Sequence, residues 1–286
     1  MLEQITPIVL TYNEAPNIRR TLDAVSWARD IVLVDSFSVD TTVAIASQIP
    51  QIRVFQRQFD CHQNQWNFAL KETGISTEWV LAIDADYVLA SELVEELKAL
   101  QPPPGVNGYQ ASFVYCVHGK PLRGSAYPPV TVLYHREHAT YQQDGHTQRV
   151  VIDGEVRELH APILHDDRKP LTQWLESQDR YMRLEVGHLH ESESVKLNVP
   201  DRLRKSRFLF PFVIFFYCLF VKGGIRDGWL GIYYAFQRML AEIILALYLI
   251  ERDFASEEAR SPEHGAGSGA QRARDQKSEI TSGRSG

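Results

Sequence analysis

WVLAIDAD, residues 79–86, decides the fold. A short apolar run feeds directly into Asp84-Ala85-Asp86, and such a run reads as a strand with acids at its carboxyl end. The same reading applies to residues 5–10, to IVLVD at 31–35 and to residues 52–56. Helical patterns fill the gaps: Pro16 with the spacing Ile18, Leu22, Val25, then residues 41–48, 63–72 and 91–100, the last with Ser91 as its expected N-cap. This β-α-β-α order predicts an α/β fold with a mostly parallel sheet and helices on both faces. Ligands in such sheets bind beyond the carboxyl ends of the strands.

Three strands end in telling residues: Thr11-Tyr12-Asn13-Glu14, Asp35-Ser36 and Asp84-Ala85-Asp86. In a parallel sheet all three ends share one rim. Acids gathered there repel one another unless a cation or hydrogen-bond donors compensate. A diphosphate held through a divalent metal is the chemistry that uses such a cluster. Asp84 and Asp86 are two apart and point the same way on extended backbone, offering hard oxygens to Mg2+ or Mn2+. The metal would then act as Lewis acid and template for a departing diphosphate. Alone, an Asp-x-Asp triplet is a solvated turn and Asp35 a cap or turn residue; their places after apolar runs favour the functional reading.

TYNE after the first strand, VDSFSVDTT after the second and DADYV after the fourth resemble family-2 glycosyltransferases of the GT-A fold, over residues 5–181. Asn67-Phe68-Ala69-Leu70, Tyr127-Pro128, Leu133-Tyr134 and Tyr181 after Trp174 are similar to the bacterial lipopolysaccharide-core β-glucosyltransferase branch. The resemblance implies that Thr11, Tyr12, Asn13 and Glu14 line a nucleotide pocket and that Asp35 bonds a uracil base. It puts Asp84 and Ala85 near ribose and diphosphate, Asp86 on the metal, and Gln65 and Asn67 near the diphosphate. It implies a nucleotide-sugar donor, a UDP-sugar, and a saccharide or glycolipid acceptor. The chain departs from the family pattern at Trp66, where an Arg or Lys is usual, at Pro129-Val130-Thr131, which lacks an Arg, and at Thr147, where His-Glu is common.

Inversion at the sugar carbon, which the resemblance implies, needs a base for the attacking hydroxyl. Asp144 and His146, in the segment that matches the family's base region, are the candidates; Asp144-Gly145 reads equally well as a plain turn. His165, after the apolar Ile163-Leu164, is a candidate to reach the metal or diphosphate, with a structural hydrogen-bonding role as the alternative.

Past residue 201 the composition shifts. Arg202, Arg204, Lys205 and Arg207 abut the aromatic run 208–220, too short for an ordinary spanning helix, and a break at 222–228 leads to a second apolar segment, 229–250. Basic residues beside aromatic ones suggest a hairpin on a cytoplasmic membrane surface. A helical pair packed on the catalytic domain or a second subunit is the competing reading. A two-span anchor is disfavoured by Gln237, Arg238 and Glu242, of which the last two stand one turn apart and are expected to pair. The expected organisation is a GT-A domain over 1–195, an apolar hairpin over 196–255 and a disordered tail over 256–286.

The bulk numbers narrow the field. A net charge of −6 argues against nucleic-acid binding. Cys61, Cys116 and Cys218 are odd in number and widely spaced, which fits a reducing compartment. The N-terminus reads as no secretory signal, so a cytoplasmic protein, peripheral at the inner face of the membrane, is expected. TYNEAPNIRR has no glycine for a triphosphate loop, which leaves a sugar nucleotidyltransferase well behind. A non-catalytic membrane scaffold of the same fold remains open.

Overall fold

The computed structural model describes residues 1–124, 127–144, 147–191, 203–204 and 207–260. Its core is a seven-stranded sheet in the order β12-β6-β9-β4-β1-β2-β3. β1 (Ile5–Thr11), β2 (Ile31–Asp35), β3 (Ile52–Gln56) and β4 (Trp79–Asp84) run parallel. β9 (Val130–His135) runs antiparallel between β4 and β6 (Val106–Ala111), and β12 (Glu155–Glu158) pairs parallel with β6 at the edge. Every residue of β2 is buried, and β1 and β4 nearly so, because helices cover both faces.

α1 (Ile18–Ala24), α2 (Thr42–Ala46) and α4 (Ser91–Ala99) lie on one side, where Ile18, Leu22, Ala46, Leu93 and Leu97 join Val9, Leu33, Leu81 and Ile83. α3 (His62–Glu72) covers the other, packing Trp66, Ala69 and Leu70 on Ile8, Val32, Val34 and Val80. Ser91 is the first residue of α4 and does not cap it. Ala90 holds the N-cap position, and the Ser91 hydroxyl turns to the Glu92 carboxylate.

The stretch 106–117 forms two strands in two different sheets. After β6 the chain enters β7 (Phe113–Val117), part of a four-stranded sheet β5-β13-β7-β8 with β5 (Tyr87–Leu89), β8 (Lys120–Pro121) and β13 (Ile163–His165). This second sheet begins directly after Asp86, so it carries the rim acids into contact with residues far downstream. A hairpin of β10 (Ala139–Asp144) and β11 (Thr147–Ile152) lies over α3, with Tyr141 stacked on Trp66 at 5.2 Å.

α5 (Leu171–Glu191) is followed by α6 (Phe210–Phe216), a tight turn at Tyr217–Val221, and α7 (Trp229–Arg260). The helix therefore runs past residue 255, where a disordered tail was expected; residues 261–286 lie outside the described part. α6 and α7 pack on β7 and β8 through Val117, Leu122, Cys218, Leu219, Tyr234 and Ala235. α7 then lies along α5 through Met182, Val186, Leu189 and Leu245.

One expectation for this region is corrected. Glu242 pairs not with Arg238 but with Arg204, whose guanidinium also reaches Glu185 at 3.1 Å. The Arg238 side chain projects elsewhere, and its Nε is buried without a partner. Of the basic cluster, Arg204 is spent in that internal network and Arg207 pairs with Asp253, while Arg202 and Lys205 lie outside the described residues.

Candidate functional site

Strand register builds the rim. Thr11 stands level with Asp35, and Leu10 with Asp84, so the carboxyl ends of β1, β2 and β4 open on one edge. Thr11 is buried there with its hydroxyl unpartnered.

The loops after β1 and β2 are laced together. Asn13 takes a left-handed conformation (φ 53°) in which its N–H donates to Ser38 Oγ and its Oδ1 accepts from Val39 N–H. Glu14 N–H donates to Thr42 Oγ1. Asp35 organises this junction: Oδ2 accepts from Ser38 N–H at 2.9 Å and from Gln56 Nε2 at 3.3 Å, and Oδ1 from the Ser38 hydroxyl at 2.5 Å. The side chain is fully buried. Asp35 thus orders the turn at the rim where the resemblance expects a base. Tyr12 is 43% exposed beside the Arg180 guanidinium.

Gln65 and Asn67 likewise have partners within the protein. Gln65 is buried, accepting from Arg57 and donating to Ser36 Oγ. Asn67 ties its amide to both backbone groups of Tyr141. Trp66, where the family pattern has a cation, fills the gap between α3 and the β10–β11 hairpin, so this site of departure is a packing contact. Ala85 is buried and its carbonyl accepts from Thr21 Oγ1.

The chemistry concentrates after β4. Asp86 is buried; its Oδ2 lies 3.1 Å from His165 Nε2, and its Oδ1 has no partner. β13 pairs with β5 so that His165 stands opposite Tyr87, which brings together residues 79 positions apart. The His165 ring is boxed by Tyr87, Tyr115 and Tyr127 at centroid distances of 5.3, 4.9 and 5.1 Å, and the Tyr87 and Tyr127 hydroxyls bond at 2.7 Å.

A second layer was missed in the sequence. Lys169 Nζ reaches Glu14 at 2.6 Å and Asp167 at 3.7 Å, with all three side chains largely buried. Asn17 links the same groups: its amide donates to Glu14 and Asp167, and its carbonyl oxygen accepts from Arg168 N–H and Arg20. Arg20 also donates to the Asp166 carbonyl. The run Asp166-Asp167-Arg168-Lys169 after His165 was the available signal.

Electrostatics follow from this enclosure. Burial first, then neighbouring Asp86, pushes Asp84 up to about 6 and Glu14 up to about 7. Burial also opposes the charge on Asp86, but His165 and Lys169 outweigh it and hold Asp86 down at about 2. The same partners act in reverse: burial disfavours charge on Lys169 and His165, and the surrounding carboxylates, Glu14 and Asp86 foremost, raise both.

The donor set fits a hard divalent cation. Asp86 offers a buried, unfilled carboxylate oxygen beside a second carboxylate, Asp84, and His165 has one ring nitrogen, Nδ1, unpartnered. Among the described residues no three His, Cys, Asp or Glu side chains converge on one point. Mg2+ and Mn2+ sites completed by substrate phosphates need only one or two protein carboxylates. Asp144 ends β10 opposite Thr147, at the tip of the hairpin. The Asp144 side chain and the whole of His146 lie outside the described residues.

Comparison with known proteins agrees with this architecture. A family model described as glycosyl transferase family 2 matches residues 6–154. An uncharacterized glycosyltransferase of Rickettsia felis is 30% identical over 146 residues, covering 49% of this chain and 50% of the relative. One of Rickettsia bellii is 29% identical over 147 residues, covering 49% of each. The chain spans about half the length of the curated relatives it matches. Among solved structures, glucosyl-3-phosphoglycerate synthase from Mycobacterium tuberculosis aligns with a TM-score of 0.46 at 15% identity, over 67% of this chain and 82% of that one. S. aureus TarS 1-349 in complex with UDP-GlcNAc aligns with a TM-score of 0.46 at 13% identity, over 87% and 92%. The family match covers more than half of the chain and contains β1, β2, β4 and the acids at their ends: the chain belongs to glycosyl transferase family 2.

Proposed function

We propose that this chain is an inverting glycosyltransferase that moves a sugar from a UDP-sugar to a saccharide carried on a lipid or a lipopolysaccharide-type core, at the inner face of the cell membrane. The observation that carries the reading is Asp86, a buried carboxylate held ionised at the rim with one oxygen unfilled. A buried, ionised carboxylate with an oxygen left unfilled is available to a ligand. Asp86, beside Asp84, would hold Mg2+ or Mn2+, which supplies charge neutralisation for the departing diphosphate.

The chain's own residues do the rest. His165 orients Asp86 through its Nε2 contact, and the tyrosine box fixes the ring. Lys169 remains a buried cation at the rim, balancing Glu14 and Asp167 and leaving a positive group beside the acids where a diphosphate would sit. Tyr12, partly exposed between the loops and Arg180, is the surface on which a base would stack. Asp144 or His146 would accept the proton from the attacking hydroxyl.

Titration of the full chain with UDP and with UDP-sugars, with and without Mn2+, tests the reading. Binding that requires the metal and disappears in Asp86→Ala, while the circular dichroism spectrum stays native, is the expected result. Metal-independent binding, or turnover unchanged in that variant, would remove the metal role. UDP binding with no transfer to any saccharide or glycolipid would favour the non-catalytic scaffold.

A further inference from the structure

The hairpin of α6 and α7 has two unlike faces. One is seated on the catalytic body through Cys218, Leu219, Tyr234 and Ala235. The other is open along its length, with Phe208 72% exposed just before α6 and Phe254 62% at the far end of α7; at the turn Phe220 is 60% exposed, Val221 71%, Ile225 53% and Trp229, the most exposed of these, 83%. Phe216 stacks parallel on Phe220 with centroids 6.0 Å apart and continues the surface down α6. A contiguous apolar surface of this kind on a folded protein marks a contact with something else.

Charge identifies the partner. Lys222 and Arg226 are exposed among the four apolar residues of the turn. The one acid there, Asp227, is turned inward with its side chain 8% exposed, accepting from Arg123 N–H at 2.9 Å and Gly124 N–H at 3.4 Å. The Arg123 side chain stands beside it, 76% exposed. The tip therefore shows aromatic and aliphatic groups ringed by cations, whereas the far end of α7 carries Glu251, Asp253 and Glu257 with Arg252 among them, and Asp253 pairs with Arg207. The outward charge is positive at the turn and mixed at the other end.

We propose that this turn is a membrane-docking tip: Phe220, Val221, Ile225 and Trp229 enter the headgroup boundary of an anionic bilayer while Lys222, Arg226 and Arg123 meet its phosphates. A second copy of the chain suits the surface less well, since a twofold contact between tips sets Lys222 and Arg226 against their own copies. Insertion across the bilayer suits it less well too. α7 is long and apolar enough by composition. Its inner face, however, is covered by α5, whose outer side carries Arg183 and Asp179 as an exposed pair, so lipid cannot surround it.

Docking by the tip also bears on the active site. Gly124 packs so closely on the Lys222 carbonyl that a Cβ there would lie 2.4 Å from it. Tyr115 touches Tyr234 of the hairpin on one side, at 4.8 Å, and His165 of the site on the other, at 4.9 Å. A single ring thus separates the docked element from the acids, which brings the site to the level of a lipid-linked acceptor. This inference rests on the membrane part of the proposed function and is independent of the donor.

Flotation of the full chain with vesicles tests it, using phosphatidylcholine alone and phosphatidylcholine with 30 mol% phosphatidylglycerol (a mixture of roughly physiological anionic content). The expected result is binding to the anionic vesicles that weakens with salt and falls at least about tenfold in the Lys222→Glu/Arg226→Glu double variant. Tryptophan emission should be quenched by lipids brominated near the headgroup, and Trp229→Phe should remove most of that quenching. Equal binding to both vesicle types, no binding to either, or quenching that survives Trp229→Phe would overturn the proposal. So would a doubled mass by light scattering that is lost in Trp229→Phe, since the tip would then be a contact between copies. UDP titration of the same samples separates the two readings: unchanged UDP affinity in the double variant is expected, and vesicle binding without UDP binding would fail the donor assignment while leaving the docking intact.

Discussion

Asp35 and Asp86 carry the same signature, an acid at the end of a buried apolar strand, and the fold treats them oppositely. Asp35 is met within three residues by Ser38, which donates twice, and by Gln56 from the adjacent strand; both its oxygens are filled. Asp86 is equally enclosed, yet its Oδ1 is unfilled, and the groups that keep it ionised, His165 and Lys169, come from about 80 residues away. A strand-end acid supplied with local donors is a structural clamp. One left short of donors, and held ionised by cations from distant segments, is available to a ligand.

The sharpest way to break this contrast is the same isosteric change at both positions. Asp86→Asn keeps shape and hydrogen-bonding capacity but withdraws the charge a metal needs. Sugar transfer should fall at least about 100-fold, the scale expected when a metal worth several kcal/mol is lost. Stability should fall by only about 1 kcal/mol, because the amide oxygen can still accept from His165 Nε2 while the pairing of charge is lost. Asp35→Asn should do the reverse. Its new amide N–H₂ faces donors already in place, so a donor is left unmatched in a fully buried position. A loss of roughly 2–4 kcal/mol is expected, measured by urea denaturation, with residual UDP affinity per folded molecule largely kept. Comparable stability losses at the two positions would end the distinction.

The contrast also explains what the sequence made legible. Hydrophobic runs of four to six residues define the parallel strands, and their register alone brings Thr11, Asp35 and Asp84 to one rim. Ser38 lies three residues after Asp35, a spacing typical of side-chain-capped turns, so the clamp was readable from local sequence. Lys169, Asn17 and Arg20 were not. Lys169 acts on Glu14, and Asn17 on Asp167, across about 150 residues, and nothing in the local pattern around HDDRKP says that β13 will pair beside β5. The partners of Gln65 and Asn67 were hidden for the same reason. The position of the β10–β11 hairpin over α3 is a tertiary fact, and it makes a packing joint of Trp66 and Tyr141 with Asn67 tied to it.

A pH series probes the cluster as a whole. Asp84 and Glu14 have native values near 6 and 7, raised by burial and by Asp86, against about 3.9 and 4.3 in an unfolded chain. Between pH 4 and 7 the native state therefore binds more protons than the unfolded one. These two groups stabilise the metal-free fold at low pH, and that contribution is lost as pH rises through 6 and 7. Binding of Mn2+ with UDP has the opposite slope, because it needs the deprotonated pair. The stabilisation by Mn2+ and UDP, read as a difference in melting temperature, should grow from pH 5 to pH 7.5 and level off above. A difference that is flat across this range would show that Asp84 and Glu14 do not take part.

The smallest expected effect refines the description of Asp35. Gln56 contributes the longest of its three contacts, 3.3 Å, from a residue on β3 that is itself exposed at the sheet edge. Ser38 alone still fills both oxygens when Gln56 is removed, so neither is orphaned. Gln56→Ala should cost only about 0.5–1 kcal/mol, the net value of one hydrogen bond, and should leave UDP affinity unchanged. Ser38→Ala, tested alongside, removes the hydroxyl that donates to Asp35 and accepts from Asn13 N–H, and should cost more than Gln56→Ala and loosen the TYNE loop as well. If Gln56→Ala proved the more damaging of the two, the clamp would lie between the strands rather than in the turn, and Asp35 would be holding β2 to β3 instead of ordering the rim.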